Sequence, residues 1–273
     1  MKRWFARSLT LAGLLMSAQT ALAAQAYSMP GVDQLPDWSG VWESVGGTTF
    51  DLSTADPKGA RAGTAGARQH PPYNAEWEAK YLANIAKVAS GTLPDFNSYC
   101  GIPSGYPRIL AMPETMEFVV RPEETWFLTE NGPNVFRIYT DGRGHPPPDE
   151  LFPTYGGDSV GHWEDDTLVF DTVGVKGEGY QLIDRTGAIT SDAIHGVVRM
   201  RMISPGLIES KIVLDDPKAF TGPWNVTRQY RRLPPGQKAY EYACAENNRS
   251  KVGPDGFTLT LDTKGKVIDQ PRK

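Results

Sequence analysis

FRIYTDGRGHPPPDELFPTYGGDSVGHWEDDTLVFD (136–171) opens and closes on runs in which apolar and polar residues alternate with the period of a half-buried strand. Asp158 to Glu164 and Thr167 to Thr172 form two such runs, and Asp165-Asp166 between them is a natural two-residue hairpin loop. In that register Trp163 faces Leu168 and Gly161 faces Phe170, which builds one apolar face. The other face carries Asp158, His162, Glu164 and Asp171. A one-sided antiparallel sheet normally turns its polar side to water. The alternative is that this side lines a cavity, with His162 and Asp171 close enough across the hairpin to couple.

Upstream, Tyr139, Asp141, Arg143 and His145 recur at every second position, so an extended backbone would project all four from one face. Gly142, Gly144 and Pro146 to Pro148 argue instead for a turn or rim loop. Downstream, Val197 to Ser204 and Ile208 to Leu214 pair best through a three-residue connection, Pro205-Gly206-Leu207. That connection puts Val198, Met200, Met202, Ile212 and Leu214 on one face and Arg199, Arg201, Glu209 and Lys211 on the other, whereas a two-residue turn would mix them. Further strands are expected at Asp37 to Glu43, Glu117 to Arg121, Thr125 to Glu130, Val135 to Thr140 and Trp224 to Leu233, with others at Tyr240 to Cys244 and within Phe257 to Ile268. Short links between so many strands predict an all-β antiparallel meander that removes its open edges by closing into a barrel. One amphipathic helix is expected from its cap at Asn74 to about Ser90, with Trp77, Tyr81, Ile85 and Val88 along one stripe and Gly91 ending it. It should lie across the side or mouth of the sheet. Residues 51–70 lack apolar periodicity and are expected to form a mobile loop ending at an exposed His70.

Residues 1–26 combine Lys2, Arg3 and Arg7 with an apolar run and an Ala24-Gln25-Ala26 end, the pattern of a cleaved secretory signal. Residues 27–273 are then one β-barrel domain, exported to the periplasm or beyond, with no integral membrane segment. Export makes Cys100 and Cys244 a disulfide candidate. A net charge of −4, with no long run of interleaved basic and aromatic residues, argues against nucleic acid as a partner.

Gly40-Val41-Trp42 followed by a meander resembles the lipocalin-like, or calycin, group, which implies a lipocalin-like barrel able to hold a small ligand. The segments 100–108 (CGIPSGYPR), 138–146 (IYTDGRGHP), 157–172 (GDSVGHWEDDTLVFDT) and 240–247 (YEYACAEN) resemble those of a large group of exported bacterial proteins mostly labelled hypothetical. The resemblance spans most of the chain after residue 26 and brings no activity with it.

No His-x-His, His-x-x-x-His or Cys-x-x-Cys spacing marks a metal site, so no metal is expected. No Gly-x-Ser-x-Gly elbow, phosphate-cradling loop or dinucleotide fingerprint is present, and no cofactor is expected. Acid–base chemistry remains, because a histidine beside a carboxylate takes a proton near neutral pH, a tyrosine or second acid returns it, and an arginine steadies the anion between. His145, Asp158, Tyr139 and Asp141 are the catalytic candidates. Arg108, Arg143, Tyr155, His162, Trp163, Met200 and Met202 are the candidates for holding a substrate. The function expected first is lyase, isomerase or hydrolase chemistry on a small hydrophobic or aromatic molecule in a barrel pocket. The rival is a barrel that binds such a ligand without chemistry. A cluster facing an internal pocket favours the first; one on the convex outside favours the second or a structural role. Under the first, His145→Ala would abolish turnover and leave the melting temperature nearly unchanged.

Overall fold

The alternating runs between Val41 and Arg232 are strands, and they close on themselves. The computed structural model describes residues 27–47, 49–56, 68–90, 104–130, 134–180 and 182–240. Within these, nine strands neighbour one another around a closed barrel in chain order. They are β1 (Val41–Ser44), β2 (Met116–Val120), β3 (Glu124–Thr129), β4 (Asn134–Tyr139), β5 (Asp158–Glu164), β6 (Thr167–Val173), β7 (His195–Ser204), β8 (Leu207–Asp215) and β9 (Trp224–Arg232), and the α-helix α1 spans Ala75–Ala89. Residues 1–26, Cys100, Cys244 and the expected strands beyond Tyr240 lie outside the described residues.

The expected purely antiparallel meander needs correction at one seam, and the reason is parity. Strands that alternate strictly in direction can close a ring only in even number, so a ring of nine must contain a parallel neighbour pair. That pair is β4 and β5, joined by the single bridge Tyr139↔Val160. Parallel strands cannot be linked by a hairpin. Residues 140–157 form the crossover, returning over the outside of the barrel to the start of β5. Beyond the end of β4 the free edge of β5 is covered by the N-terminal segment: the Trp163 N–H donates to Tyr27 Oη at 3.3 Å and the Trp38 ring packs on Trp163 at 5.4 Å. Toward the start of β5 the seam stays open.

The β5–β6 hairpin has the expected register, with Trp163↔Leu168 and Gly161↔Phe170. The β7–β8 faces are also as expected, but the means differ. The turn is the two residues Pro205-Gly206, and a bulge between Met202 and Ser204 supplies the extra residue that keeps the faces unmixed.

Apolar residues on the inner faces fill the barrel. Phe118, Phe127, Phe136, Phe170 and Tyr230 meet in a chain of ring contacts at 4.8–6.3 Å. Trp163 and Met200, expected to line an internal pocket, are part of this core, and Met202 packs at its margin. Tyr106 is fully buried against Gly196, where an added Cβ would stand 1.9 Å from the Tyr106 hydroxyl. Gly196→Ala is therefore expected to lose about 1–3 kcal/mol by overpacking. Urea unfolding measures this, and Tyr106→Phe in the same background should restore part of it.

Helix α1 starts as expected, with Asn74 Oδ1 accepting from the Trp77 N–H, and it buries Trp77 and Tyr81. It docks at one mouth of the barrel rather than on its side: Asn74 Nδ2 donates to Lys218 O in the β8–β9 loop and Asn84 Nδ2 to Gly187 O in the β6–β7 connection. The ends of the 51–70 segment are anchored, which corrects the mobile-loop expectation there. Asp51 and Gln69 are buried, Asp51 accepting from Trp224 Nε1 and Gln69 Nε2 donating to Asp184 and Thr186. Residues 57–67 lie outside the described residues. Among the described residues no helix is long and apolar enough to cross a membrane.

Candidate functional site

Asp171 lies between buried Phe170 and Thr172, so the alternation of β6 turns it outward. Its partners are Val160 on β5 and Val197 on β7. Asp158 is two residues from Val160, and His195 two from Val197. Three adjacent strands thus place Asp158, Asp171 and His195 diagonally across one patch of outer surface. The crossover lowers His145 into it. Protonated His145 donates from Nδ1 to Asp158 Oδ1 at 2.6 Å and from Nε2 to Asp171 Oδ2 at 2.9 Å, and His195 Nε2 lies 3.2 Å from the same Asp171 oxygen. The result is a chain Asp158, His145, Asp171, His195 that passes from half-buried to exposed. Partial burial works against the charged form of His145, but the hydrogen bonds to Asp158 and then Asp171 outweigh it and raise its pKa above the ordinary value.

Where β4 and β5 part, a cleft of about 380 Å³ opens in the barrel wall. Phe136 and Ile109 form its apolar floor, Tyr139 and Tyr155 its aromatic sides, and Asp158 and Arg137 are the charged members of the lining. Gly157 makes the bend into β5 at φ +73°, and a Cβ there would meet the Val173 carbonyl at 2.6 Å. Asp158 belongs both to the cleft and to the histidine chain.

The expected single face of Tyr139, Asp141, Arg143 and His145 does not form, because the chain leaves the strand at Tyr139 and turns at Gly142, φ +86°. Arg143 instead forks onto Asp141 with Nε and Nη2 while its guanidinium sits 4.0 Å over the Tyr139 ring. The arginine's hydrogen bonds hold the Asp141 carboxyl below its usual range. Tyr139, a catalytic candidate, and Tyr155, a candidate for holding substrate, both line the cleft. Arg108 is buried in the Arg108–Ala111 turn beside Ile109 of the cleft floor.

His162 does not couple to Asp171. Its Nε2 lies 3.1 Å from Glu164 on its own strand, and Glu164 also accepts from Arg199 Nη2 at 2.6 Å. The Arg199 and then the His162 hydrogen bonds hold the Glu164 carboxyl down to about 2. The polar face of the hairpin is thus an outer face, half covered by the crossover, and not the lining of the barrel interior. Arg137, whose alternation with Phe136 and Ile138 was the available signal, and His195 were not among the site residues expected from the sequence. Among the described residues no group of three or more His, Cys, Asp or Glu is arranged to hold a metal ion.

No known family model matches this chain, and no curated protein does.

Proposed function

We propose that this is an exported, cofactor-free enzyme that performs acid–base chemistry on a small aromatic or apolar molecule held in the wall cleft. The observation that carries this is the double membership of Asp158, a cleft wall and the first link of a hydrogen-bonded chain ending at exposed His195. Asp158 accepts the proton from the bound molecule or from an attacking water, and Tyr139 across the cleft supplies one to the product. His145 has both ring nitrogens committed to carboxylates, so it is a positioning residue rather than the base. Its Nδ1–H, donated to Asp158 Oδ1, fixes the orientation of that carboxylate.

The test is a panel of aryl esters and of aromatic compounds with acidic C–H bonds, scored for hydrolysis and for deuterium uptake from D₂O. Wild-type protein should turn over at least one member, and Asp158→Asn, which retains an oxygen for the His145 N–H, should abolish that turnover while remaining folded. Turnover that survives the substitution removes Asp158 from the chemistry. A second reading is a ligand-binding barrel without chemistry, and two observations favour it: the cluster lies on the outer face of a barrel whose interior is filled, the outcome expected of a binding or structural role, and a histidine held at both nitrogens serves well as a latch for the crossover. Binding across the panel with no turnover in the wild type would establish that reading instead.

A further inference from the structure

The cleft has an asymmetry of charge, and it bears on the kind of molecule that fits. Arg137 sits on the β4 side and Asp158 at the start of β5. Asp158 is taken up by His145. Arg137 has no carboxylate partner among the described residues, whereas nearby Arg143 is neutralised by Asp141. The Arg137 guanidinium lies 5.0 Å over the ring of Trp126, its cross-strand partner on β3. Stacking of this kind restrains a long flexible side chain while leaving its N–H fork open. An apolar floor and two tyrosine sides connect the two charges.

We propose that the cleft selects small aromatic carboxylates, with Arg137 as the residue that anchors the carboxylate and sets specificity. This rests on the wall cleft being the substrate site. The orientation follows from charge: the anionic end of such a ligand is drawn to Arg137 and repelled by Asp158, so the far end of the molecule, beyond the ring, is the one presented to Asp158. The tyrosines flank the ring, and the floor of Phe136 and Ile109 excludes water from its edge. A guanidinium suits this task because its planar fork matches both carboxylate oxygens.

The experiment compares isosteric acid and amide pairs, benzoate with benzamide, phenylacetate with phenylacetamide and cinnamate with cinnamamide, by calorimetric titration of the full chain. Wild-type protein should bind the acid of at least one pair about tenfold more tightly than its amide, the scale of one charge-assisted contact at a partly exposed site. In Arg137→Gln the two members should bind equally, and Arg137→Lys should keep part of the preference. Equal binding of acid and amide by the wild type, or a preference that persists in Arg137→Gln, overturns the anchor while leaving the cleft as a binding site. Failure of every acid and every amide to bind overturns the anchor and the cleft together.

Discussion

Arg228→Met is expected to destabilise the protein by on the order of 3–5 kcal/mol, the penalty for removing one partner from a buried charged network. Arg228 is 1 % exposed and points into the barrel from β9, between inward-facing Val226 and Tyr230. Its Nη1 donates to Thr49 O at 2.7 Å, and its Nη2 donates to Ser44 Oγ at 2.6 Å and Gly47 O at 3.0 Å. The carboxylates of Asp51 and Asp184 also interact with it electrostatically. Both are buried and hold loops of their own: Asp51 binds Ser53, Thr54 and Trp224, and Asp184 accepts from the Phe50 N–H and from Gln69. Methionine fills much of the volume but satisfies neither the carbonyls nor the two anions, so the loss is electrostatic rather than a cavity. For a domain of this size the midpoint of thermal unfolding should fall by about 10 °C. A drop under about 1 kcal/mol in the single variant would show that the network is not what holds the 44–51 segment inside the barrel mouth.

Arg228 also marks the boundary of what was legible beforehand. It alternates with Trp224, Val226 and Tyr230, so its inward direction was available from β9 itself. Asp51 and Gln69 gave no such signal. Their burial is created by Asp184, Thr186 and Trp224, far away in the chain, and loop composition carries no trace of them. The β5–β6 hairpin was legible residue by residue because alternation and a two-residue turn are both local. On β7 and β8 the faces were legible but the turn was not, since one bulged residue and one extra loop residue have the same effect on alternation. The parallel seam depends on how many strands enter the ring, which no single segment encodes. That seam in turn produces the crossover, and the crossover brings His145 onto Asp158 and Asp171. The pairing of His145 with Asp158 was among those considered. Adding Asp171 and His195 required the β6–β7 register, and the long 174–194 connection between those strands leaves that register unspecified. Side-chain direction was right for Trp163 and Met200; that the interior they face is filled depends on the sum of many volumes around the ring.

The pH dependence of His145→Asn follows from the position of that histidine. The sequence alone led to the expectation that removing His145 would leave thermal stability nearly untouched. In the structure it is the pin between the 140–157 crossover and two strands, with a side chain only 21 % exposed. Because its folded pKa is raised, the folded state binds the His145 proton more tightly than the unfolded chain does. Its stabilising contribution is therefore fully present below the unfolded value of about 6.5 and is lost as pH climbs through the higher folded value. Asp158 faces it from β5 and Asp171 from β6, with His195 of β7 behind Asp171. The gap in melting temperature between wild type and His145→Asn should be at its full width near pH 6 and below the unfolded value of about 6.5, equivalent to about 1–2 kcal/mol for two charge-assisted hydrogen bonds discounted for partial exposure. It should narrow steadily toward pH 9, while His195→Asn, which leaves both His145 contacts in place, should retain most of the wild-type pH dependence. A gap of constant size across that range would mean that His145 holds the crossover as a neutral ring, and the electrostatic coupling to Asp158 would go with it.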